Sequence, residues 1–440
     1  MLQATRFFKS GYHNSKWFFV LLFLFVFYLT NSRQTKITNF DCEICADKAG
    51  YYMYLPALFQ YGFEAKNYPD GFDKAHGDGF YMDKEHNKII TRFTCGVAVL
   101  QLPFYAAGAL IAKVFVLDVV PYSNYYMVFI NIGAAFYLVL GLYFLRRWLN
   151  YYVDDSNSFW TILVIFFGTN LYYYTLDESL MSHMYSFSLF SMLLFGLKAF
   201  NETKQYNYFI LFVVSLSLSI LIRPTNAIFA LVALLSDVNE FDVLKNKIIL
   251  LLKPKYIISA AVIFLLLVAP QLFYWKYAFG KYVVWSYGEY GFSYWDKPEF
   301  LIVWFSPQSG LFTYTPIILL SLIYAVFMFV KKERNALLII GSFFVVSYMC
   351  AAWCNPFFGT CNFGKRPMVE FLPIVMLPIA YMFQYSKSYA IKYEYLLLIL
   401  TGVFIYYNQC LFNAFDTCFF GGTWEWGMFG ELLKRAFLLQ

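Results

Sequence analysis

The stretch WFFVLLFLFVFYLT, residues 17–30, decides the fold class, because it carries no charged side chain. Arg6, Lys9 and Lys16 precede it, and no small-residue cleavage site follows it. Comparable apolar runs recur along the chain, and about 20 apolar residues cross the hydrocarbon core of a bilayer as an α-helix. We therefore predict an all-α polytopic membrane protein whose first helix, residues 14–31, is an uncleaved anchor with a cytoplasmic N-terminus.

Composition supports this class. The 440 residues are 60% hydrophobic and 14% charged, against roughly 45–50% and 25% in soluble domains. The net charge is +6, and aromatic residues make up 23% of the chain. These values argue against a soluble enzyme and exclude a disordered chain, a basic nucleic-acid tail and a disulfide miniprotein. A membrane β-barrel is excluded because its strands alternate apolar and polar residues.

The distribution of Lys and Arg predicts the topology. Residues 93–117 are long enough to span, but placing them along the outer surface lets the next run, 125–145, end inside with Arg146 and Arg147. The positive-inside rule prefers that arrangement. This arrangement also places inside the later Lys- and Arg-containing segments that separate the apolar runs. It gives about 11 spans. Besides the first helix and 125–145, the spans are 157–173, 184–200, 206–222, 226–236, 256–274, 311–330, 336–352, 368–386 and 395–411.

The chain is predicted to form a single membrane domain over residues 1–440. Residues 32–120 form an outer loop with interfacial helices, residues 121–411 contain the remaining spans, and residues 412–440 form an outer tail. With this topology, the acidic residues of interest and His183 lie on the outer side, whereas the inner segments between spans carry mostly Lys and Arg. A site on the outer face is the natural inference, since large loops of this kind commonly carry function.

Asp47 opens the run DKAGYYMYLPAL, residues 47–58, which is typical of an aromatic helix at the membrane surface. A carboxylate at the N-terminus of such a helix stays ionised near free backbone N–H groups and the positive end of the dipole. It can be a simple N-cap, or it can act as a general base or metal ligand. The sequence alone does not choose between these roles.

A second acidic loop follows the tyrosines at 172–174. Asp177, Glu178, His183 and, farther along, Glu289 are candidates for a second acid or for acceptor binding; the alternative is a solvated loop with an interfacial His. If the two acidic loops converge, Asp47 and Glu178 offer oxygen ligands of the kind that Mg²⁺ or Mn²⁺ prefers.

Basic residues stand at two outer helix ends, where the positive-inside rule disfavours them. These are Arg223 and the adjacent pair Lys365 and Arg366. A lipid phosphate would compensate their charge, because the Arg fork matches phosphate oxygens. The alternative is an ion pair with Glu370 or with lipid headgroups.

Two further features lie on the predicted outer side. The loop at 275–310 is rich in Trp and Tyr and is interpreted as an interfacial belt, with binding of sugar rings as the alternative. All eight Cys fall outside or at outer helix ends, and we predict a Cys354–Cys361 disulfide across a loop containing Pro and Gly.

An outer acidic residue that leads an aromatic interfacial helix, a second acid in the next outer loop and arginines near later outer helix ends together resemble the GT-C superfamily of membrane glycosyltransferases. This superfamily includes dolichyl-phosphate-mannose protein mannosyltransferases and aminoarabinose transferases. More narrowly, four stretches resemble glycosyltransferase-like membrane proteins of Bacteroidetes, and the likeness covers most of residues 15–380. The four stretches are DKAGYYMYLP at 47–56, TCGVAVLQLPF at 94–104, FSPQSGLFTYTP at 305–316 and FGKR at 363–366.

The resemblance implies transfer of a sugar from a polyprenyl-phosphate donor to a glycan, lipid or protein acceptor, with inversion, at the periplasmic face of a bacterial inner membrane. Asp47 matches the catalytic acid of the first outer loop. Glu178, or Asp177, matches a second acid that binds a divalent metal in some relatives. Basic residues at 223, 365 and 366 would hold the phosphate. The family's paired acidic motif is missing, because Lys48 follows Asp47.

Two other functions remain open. A transporter or flippase of lipid-linked sugars needs polar residues along its helices, and Asn131, Asn170 and Gln271 are the candidates. A non-catalytic membrane assembly protein would keep the architecture without the chemistry. Neither a Walker motif nor a nucleotide-binding glycine loop occurs, which agrees with a lipid-linked donor and no nucleotide. The composition predicts no nucleic-acid partner.

Overall fold

A computed structural model describes residues 12–33, 43–77, 79–357, 362–389, 391–415, 422 and 424–438. Helices dominate it, as the apolar runs predict. The α-helices of the first half are α1 Tyr12–Ser32, α2 Asp47–Tyr52, α3 Tyr54–Pro56, α4 Phe72–Ala75, α5 Gly96–Val114, α6 Asn124–Leu149, α7 Asp155–Gly168, α8 Leu171–Leu176, α9 Ser182–Thr203 and α10 Tyr206–Ile222. Those of the second half are α11 Ile228–Leu235, α12 Phe241–Leu251, α13 Pro254–Phe279, α14 Phe300–Phe305, α15 Leu311–Tyr314, α16 Ile317–Val330, α17 Ala336–Ala352, α18 Leu372–Val375, α19 Leu377–Tyr389, α20 Ile391–Ala414 and α21 Trp426–Leu438.

Shorter elements complete the secondary structure. A π-helical turn covers Ala57–Tyr61, and 3₁₀ turns cover Ala65–Asn67, Pro224–Ala227 and Arg366–Phe371. Two antiparallel strands, β1 Tyr81–Asp83 and β2 Lys88–Ile90, form a hairpin with Tyr81 opposite Ile90. The hairpin was not predicted, because three-residue strands leave little periodicity to detect.

The predicted count of about 11 spans is wrong. Four helices in the described part of the chain are long and apolar enough to cross a membrane, or five if the bent pair Arg366–Val375 and Leu377–Ser386 counts as one span. The helices α7, α10, α11, α16 and α17 have only 8–17 residues. At 1.5 Å per residue they reach about 12–26 Å, less than the ~30 Å core. The four long apolar helices are Gly96–Val114, Asn124–Leu149, Pro254–Phe279 and Glu394–Ala414.

Helix α9 lies at the centre of the fold and packs against α6 and α10. Glycines allow these close approaches: a Cβ on Gly141 of α6 would lie 2.7 Å from the Cα of Ser188, and one on Gly196 would lie 2.9 Å from the backbone N of Phe212. Most α9 side chains are buried, including several Ser. Close packing of small residues is the usual way in which membrane helices associate.

Helix α5 begins where α10 ends. The hydroxyl of Thr94 donates to the carbonyl of Ile222 at 2.7 Å, and a Cβ on Gly96 would lie 2.4 Å from the backbone N of the same residue. From there α5 runs antiparallel to the first half of α6, since Tyr137 donates to Leu100 and Tyr125 to Gly108. Helix α5 is also long enough to cross a membrane, so its interfacial placement stays a prediction.

The segments before α5 form a second apolar cluster. Residues of α2, α3 and the hairpin pack there against α5, the start of α6 and the end of α13. The hydroxyl of Tyr274 on α13 accepts from the backbone N–H of Thr91 at 2.8 Å, which fixes the chain just after β2. This packing holds the N-terminus of α2 in place.

Candidate functional site

Four described segments that are distant in sequence bring their charged side chains together near Asp47. They are the start of α2, the turn after β2 with Arg92, the loop between α8 and α9, and the turn at 364–366. Arg33, at the end of α1, and Arg223, at the end of α10, join through further ion pairs. The sequence could not show that the predicted outer loops converge, and the structure brings these loops together. We call this set of ion pairs the charged cluster.

Asp47 lies between two arginines at the accessible edge of the cluster. Its Oδ2 is 3.1 Å from Nη1 of Arg366, and its Oδ1 is 3.6 Å from Nη2 of Arg92. The side chain remains 23% exposed. Asp47 is the first residue of α2, and the N-cap position belongs to Ala46. The simple N-cap role is therefore not what this carboxylate does.

The second acidic loop faces two cations of its own. Nζ of Lys48 is 3.7 Å from Glu178, and Nε of Arg33 is 2.8 Å from Asp177. Burial raises the pKa of Asp177 to about 6, although Arg33 opposes the shift. Burial also raises the pKa of Glu178 against the effect of Lys48. Lys48 thus links the start of α2 to the second acidic loop.

Glu370 forms the buried end of the cluster. Its Oε1 accepts from His183 Nδ1 at 2.8 Å and from Arg223 Nη1 at 2.9 Å, and its side chain is 3% exposed. The ion pair with Glu370 was foreseen as an alternative for the outer cations, and Arg223 makes it. His183 is fully buried, and its Nε2 has no hydrogen-bond partner among the described residues.

The adjacent Lys365 and Arg366 point to different partners. Arg366 contacts Asp47, whereas Nζ of Lys365 donates to the hydroxyl of Ser309 at 3.2 Å and to the carbonyl of Pro356 at 2.5 Å. Lys365 is buried, and burial lowers its pKa to about 7. The predicted pair of phosphate ligands is therefore divided: Arg366 faces the cluster, and Lys365 anchors the loop that contains Ser309.

A cavity of about 120 Å³ opens beside Arg223 and Glu370. The aromatic loop supplies part of its wall, and Arg92 stacks 5.2 Å from the ring centre of Tyr290 in the same loop. Aromatic side chains on the wall are Trp275, Trp285, Tyr287, Phe292, Trp353 and Phe371. Glu289, predicted from sequence as a site acid, is exposed and has no ion pair within the described ranges.

The carboxylates present fit a divalent metal poorly. Asp47 faces two arginines and Glu178 faces a lysine, so a cation would have to displace positive charge already in contact. The part of the chain that the structure describes contains no group of three or more His, Cys, Asp or Glu side chains able to hold a metal. Binding of Mg²⁺ or Mn²⁺ by Asp47 and Glu178 therefore stays a prediction from the sequence.

The predicted Cys354–Cys361 disulfide does not form, since Cys354 is a free thiol; Cys361 lies outside the described residues. The prediction rested on the Pro- and Gly-containing loop between the two cysteines, and such a sequence pattern alone cannot establish which cysteines pair. A different cysteine, Cys45, is disulfide-bonded two residues before Asp47. The structure thus contains a disulfide, although not the predicted one.

Sequence reasoning missed Arg33, Lys48 and Arg92. Arg33 and Arg92 stand on the predicted outer side against the positive-inside rule, the same signal that drew attention to Arg366. Applied to every outer cation, that rule would have found both. Neither a family model nor any curated protein matches the chain, so the site rests on its own geometry.

Proposed function

We propose that the protein is an integral membrane glycosyltransferase that moves a sugar from a polyprenyl-phosphate donor to an acceptor hydroxyl, with inversion at the anomeric carbon. The position of Asp47 between Arg92 and Arg366 carries the proposal. A carboxylate that is both accessible and flanked by arginines can take a proton while the arginines receive a phosphate. The resemblance described above supplies the class of donor.

Each group has a defined part in the reaction. The acceptor oxygen forms a bond to the anomeric carbon as the bond from that carbon to the phosphate oxygen breaks. The acceptor proton goes to Asp47, and the electron pair leaves with the polyprenyl phosphate. Arg366, with Arg92 beside it, stabilises the charge that develops on the departing phosphate. Because the leaving group is already a phosphate, one base and fixed cations supply what the step needs.

The aromatic cavity suits the donor's head. Arg223 lines it and brings positive charge, while Trp285 and Trp353 offer flat apolar faces for a sugar ring. Oε1 of Glu370 lies 2.9 Å from Nη1 of Arg223, and this ion pair fixes the position of the guanidinium. A donor phosphate could thus lie between Arg223 and Arg366, with its sugar against the aromatic wall. Lys365, turned toward Ser309, would support this arrangement through the loop and not by direct contact.

The polar residues that a transporter would need are used for other contacts. Asn131 bonds to Asn31 and Ser179, Asn170 donates to the carbonyl of Lys365 at 3.3 Å, and Gln271 accepts from the backbone of Cys95 at 2.7 Å. These are hydrogen bonds between helices and loops. They give no support to a polar path through the molecule, and we therefore place catalysis ahead of transport.

Replacement of Asp47 by Asn tests the proposal in cells. Asp296→Asn is the matched control, because Asp296 is an exposed acid of the aromatic loop with no ion pair in the described structure. We expect both variants to be expressed, with the glycan product lost only for Asp47→Asn, as measured by mass spectrometry of envelope glycans. An unchanged product with Asp47→Asn would refute the catalytic role and favour the assembly-protein hypothesis.

A further inference from the structure

A second charged pocket lies at the other end of α9. His183 and Lys198 are fifteen residues apart on this one helix, or about 22 Å at 1.5 Å per residue. The pocket has a volume of about 400 Å³ and is formed by the ends of α9 and α11, by α12 and by Arg334. We call it the α12 pocket. It shares no residue with the charged cluster around Asp47.

The walls of the α12 pocket carry more positive than negative charge. Four basic side chains line it, Lys198, Lys204, Lys247 and Arg334, against two acidic ones, Glu202 and Asp237. Lys198 engages both acids, at 3.0 Å and 2.8 Å. In the described structure the other three cations have no carboxylate partner, which leaves positive charge available to an anion.

Asp237 is already neutralised and cannot satisfy the remaining cations. Besides Lys198, its carboxylate accepts from Tyr152 at 3.0 Å and from Asn335 at 3.1 Å. Nζ of Lys247 instead donates to the backbone carbonyls of Leu234 and Ser236. Burial lowers the pKa of Lys247, with Asp237 opposing the shift. An anion in the pocket would stabilise the charged form of this lysine.

The helix that covers the pocket indicates where the anion comes from. No residue of α12 is buried, and three of its apolar side chains are exposed, with Phe241 at 78%, Ile249 at 52% and Ile248 at 40%. A helix with lysines and exposed apolar residues lies along a bilayer surface at the level of the headgroups. The following helix, α13, exposes Ile258 and Leu266, which could contact acyl chains.

We propose that the α12 pocket binds the phosphate of an anionic phospholipid, held by Lys247, Lys204 and Arg334, with the lipid chains lying along α13. The shared chemistry is a phosphate anion, and the exposed apolar faces of α12 and α13 favour a lipid over free phosphate as its source. This site is separate from the proposed transfer reaction and does not depend on it.

Native mass spectrometry of the purified protein with phosphatidylglycerol or phosphatidylcholine tests the proposal. We expect one phosphatidylglycerol to be retained in preference to phosphatidylcholine, and its affinity to fall at least about tenfold in the double variant Lys247→Ala/Arg334→Ala. Lys332→Ala is the matched control, because Lys332 is an exposed cation near Arg334 that does not line the pocket. It should bind the lipid as the wild type does.

A second variant distinguishes a loss of lipid binding from misfolding. Lys204 is exposed at the pocket edge, so Lys204→Gln should fold normally and still weaken phosphatidylglycerol binding. Equal retention of the two lipids, or unchanged binding by both the double variant and Lys204→Gln, would overturn the proposal. Displacement of phosphatidylglycerol by millimolar inorganic phosphate would overturn the assignment to a lipid.

Discussion

Arg366 and Asp47 form an ion pair, with Nη1 of the arginine 3.1 Å from Oδ2 of the aspartate, although the two residues are far apart in the sequence. Arg92 reaches the other carboxylate oxygen. The pair joins the predicted first outer loop to the start of the bent pair Arg366–Val375 and Leu377–Ser386. The base and the phosphate-binding cation of the proposed reaction are thus already in contact.

Arg366→Ala is expected to weaken binding of polyprenyl phosphate by about 10–100-fold, since a hydrogen bond to a charged group contributes about 1.5–3 kcal/mol. Arg366→Lys should restore part of the loss, because it keeps the charge without the bidentate fork. Affinity can be measured by fluorescence titration in detergent. Lys281→Ala, an exposed cation of the aromatic loop, is the control. Unaltered affinity in Arg366→Ala would reject a phosphate-binding role.

Glu370 and Arg223 are expected to be strongly coupled in stability. Glu370→Leu alone leaves Arg223 as an unpaired, partly buried charge and should destabilise the fold by up to about 3–5 kcal/mol. The double variant Glu370→Leu/Arg223→Met removes both charges and should be less destabilised than the sum of the single variants. Thermal unfolding in detergent measures this cycle. Strict additivity would contradict the coupling.

The burial of Lys365 is expected to make the free energy of unfolding depend on pH. Its pKa is about 7 in the folded protein, against about 10.4 for an unperturbed lysine. Between these values the unfolded state binds the extra proton, so stability rises as the pH increases from about 7 to 10. The stability difference between wild type and Lys365→Met should therefore grow over this range in favour of the wild type. Parallel pH profiles in thermal unfolding would show that Lys365 is not buried as described.

Gly96→Ala should destabilise the junction of α5 and α10. The added Cβ would lie 2.4 Å from the backbone N of Ile222, and backbone cannot yield as a flexible side chain does. We expect a loss of about 1–3 kcal/mol, the usual cost of overpacking. Gly402→Ala on α20 is the matched control, since nothing lies within 4 Å of its Cβ position. Equal melting temperatures for the two variants would contradict the close approach.

Apolar runs predicted helix positions well where one run forms one helix. The run at 125–145 lies within α6, and the run at 256–274 lies within α13. They failed where the backbone breaks without a charge: the run at 157–173 divides at Thr169, and the run at 368–386 bends by 40° near Met376. Hydropathy reports how apolar a run is and does not register such breaks. Other runs, such as 206–222, form one unbroken helix that is too short to count as a span.

The site was only partly predictable for a related reason. Unusual placement of charge singled out Asp47, Arg223 and Arg366, and each lies in the charged cluster. Their partners could not be deduced, because an ion pair such as Lys48 with Glu178 depends on how distant loops pack. The same packing turned Lys365 away from its neighbour Arg366, a difference that no spacing encodes.

The most direct test of the central claim uses purified wild-type protein and purified Asp47→Asn. Each is mixed with a polyprenyl-phosphate sugar and with membranes that contain the acceptor, and the release of polyprenyl phosphate is measured. Donor binding is measured in both. The account predicts that Asp47→Asn binds the donor but releases polyprenyl phosphate at least about 100-fold more slowly, the range for loss of a general base. Equal release rates at equal donor occupancy would contradict it.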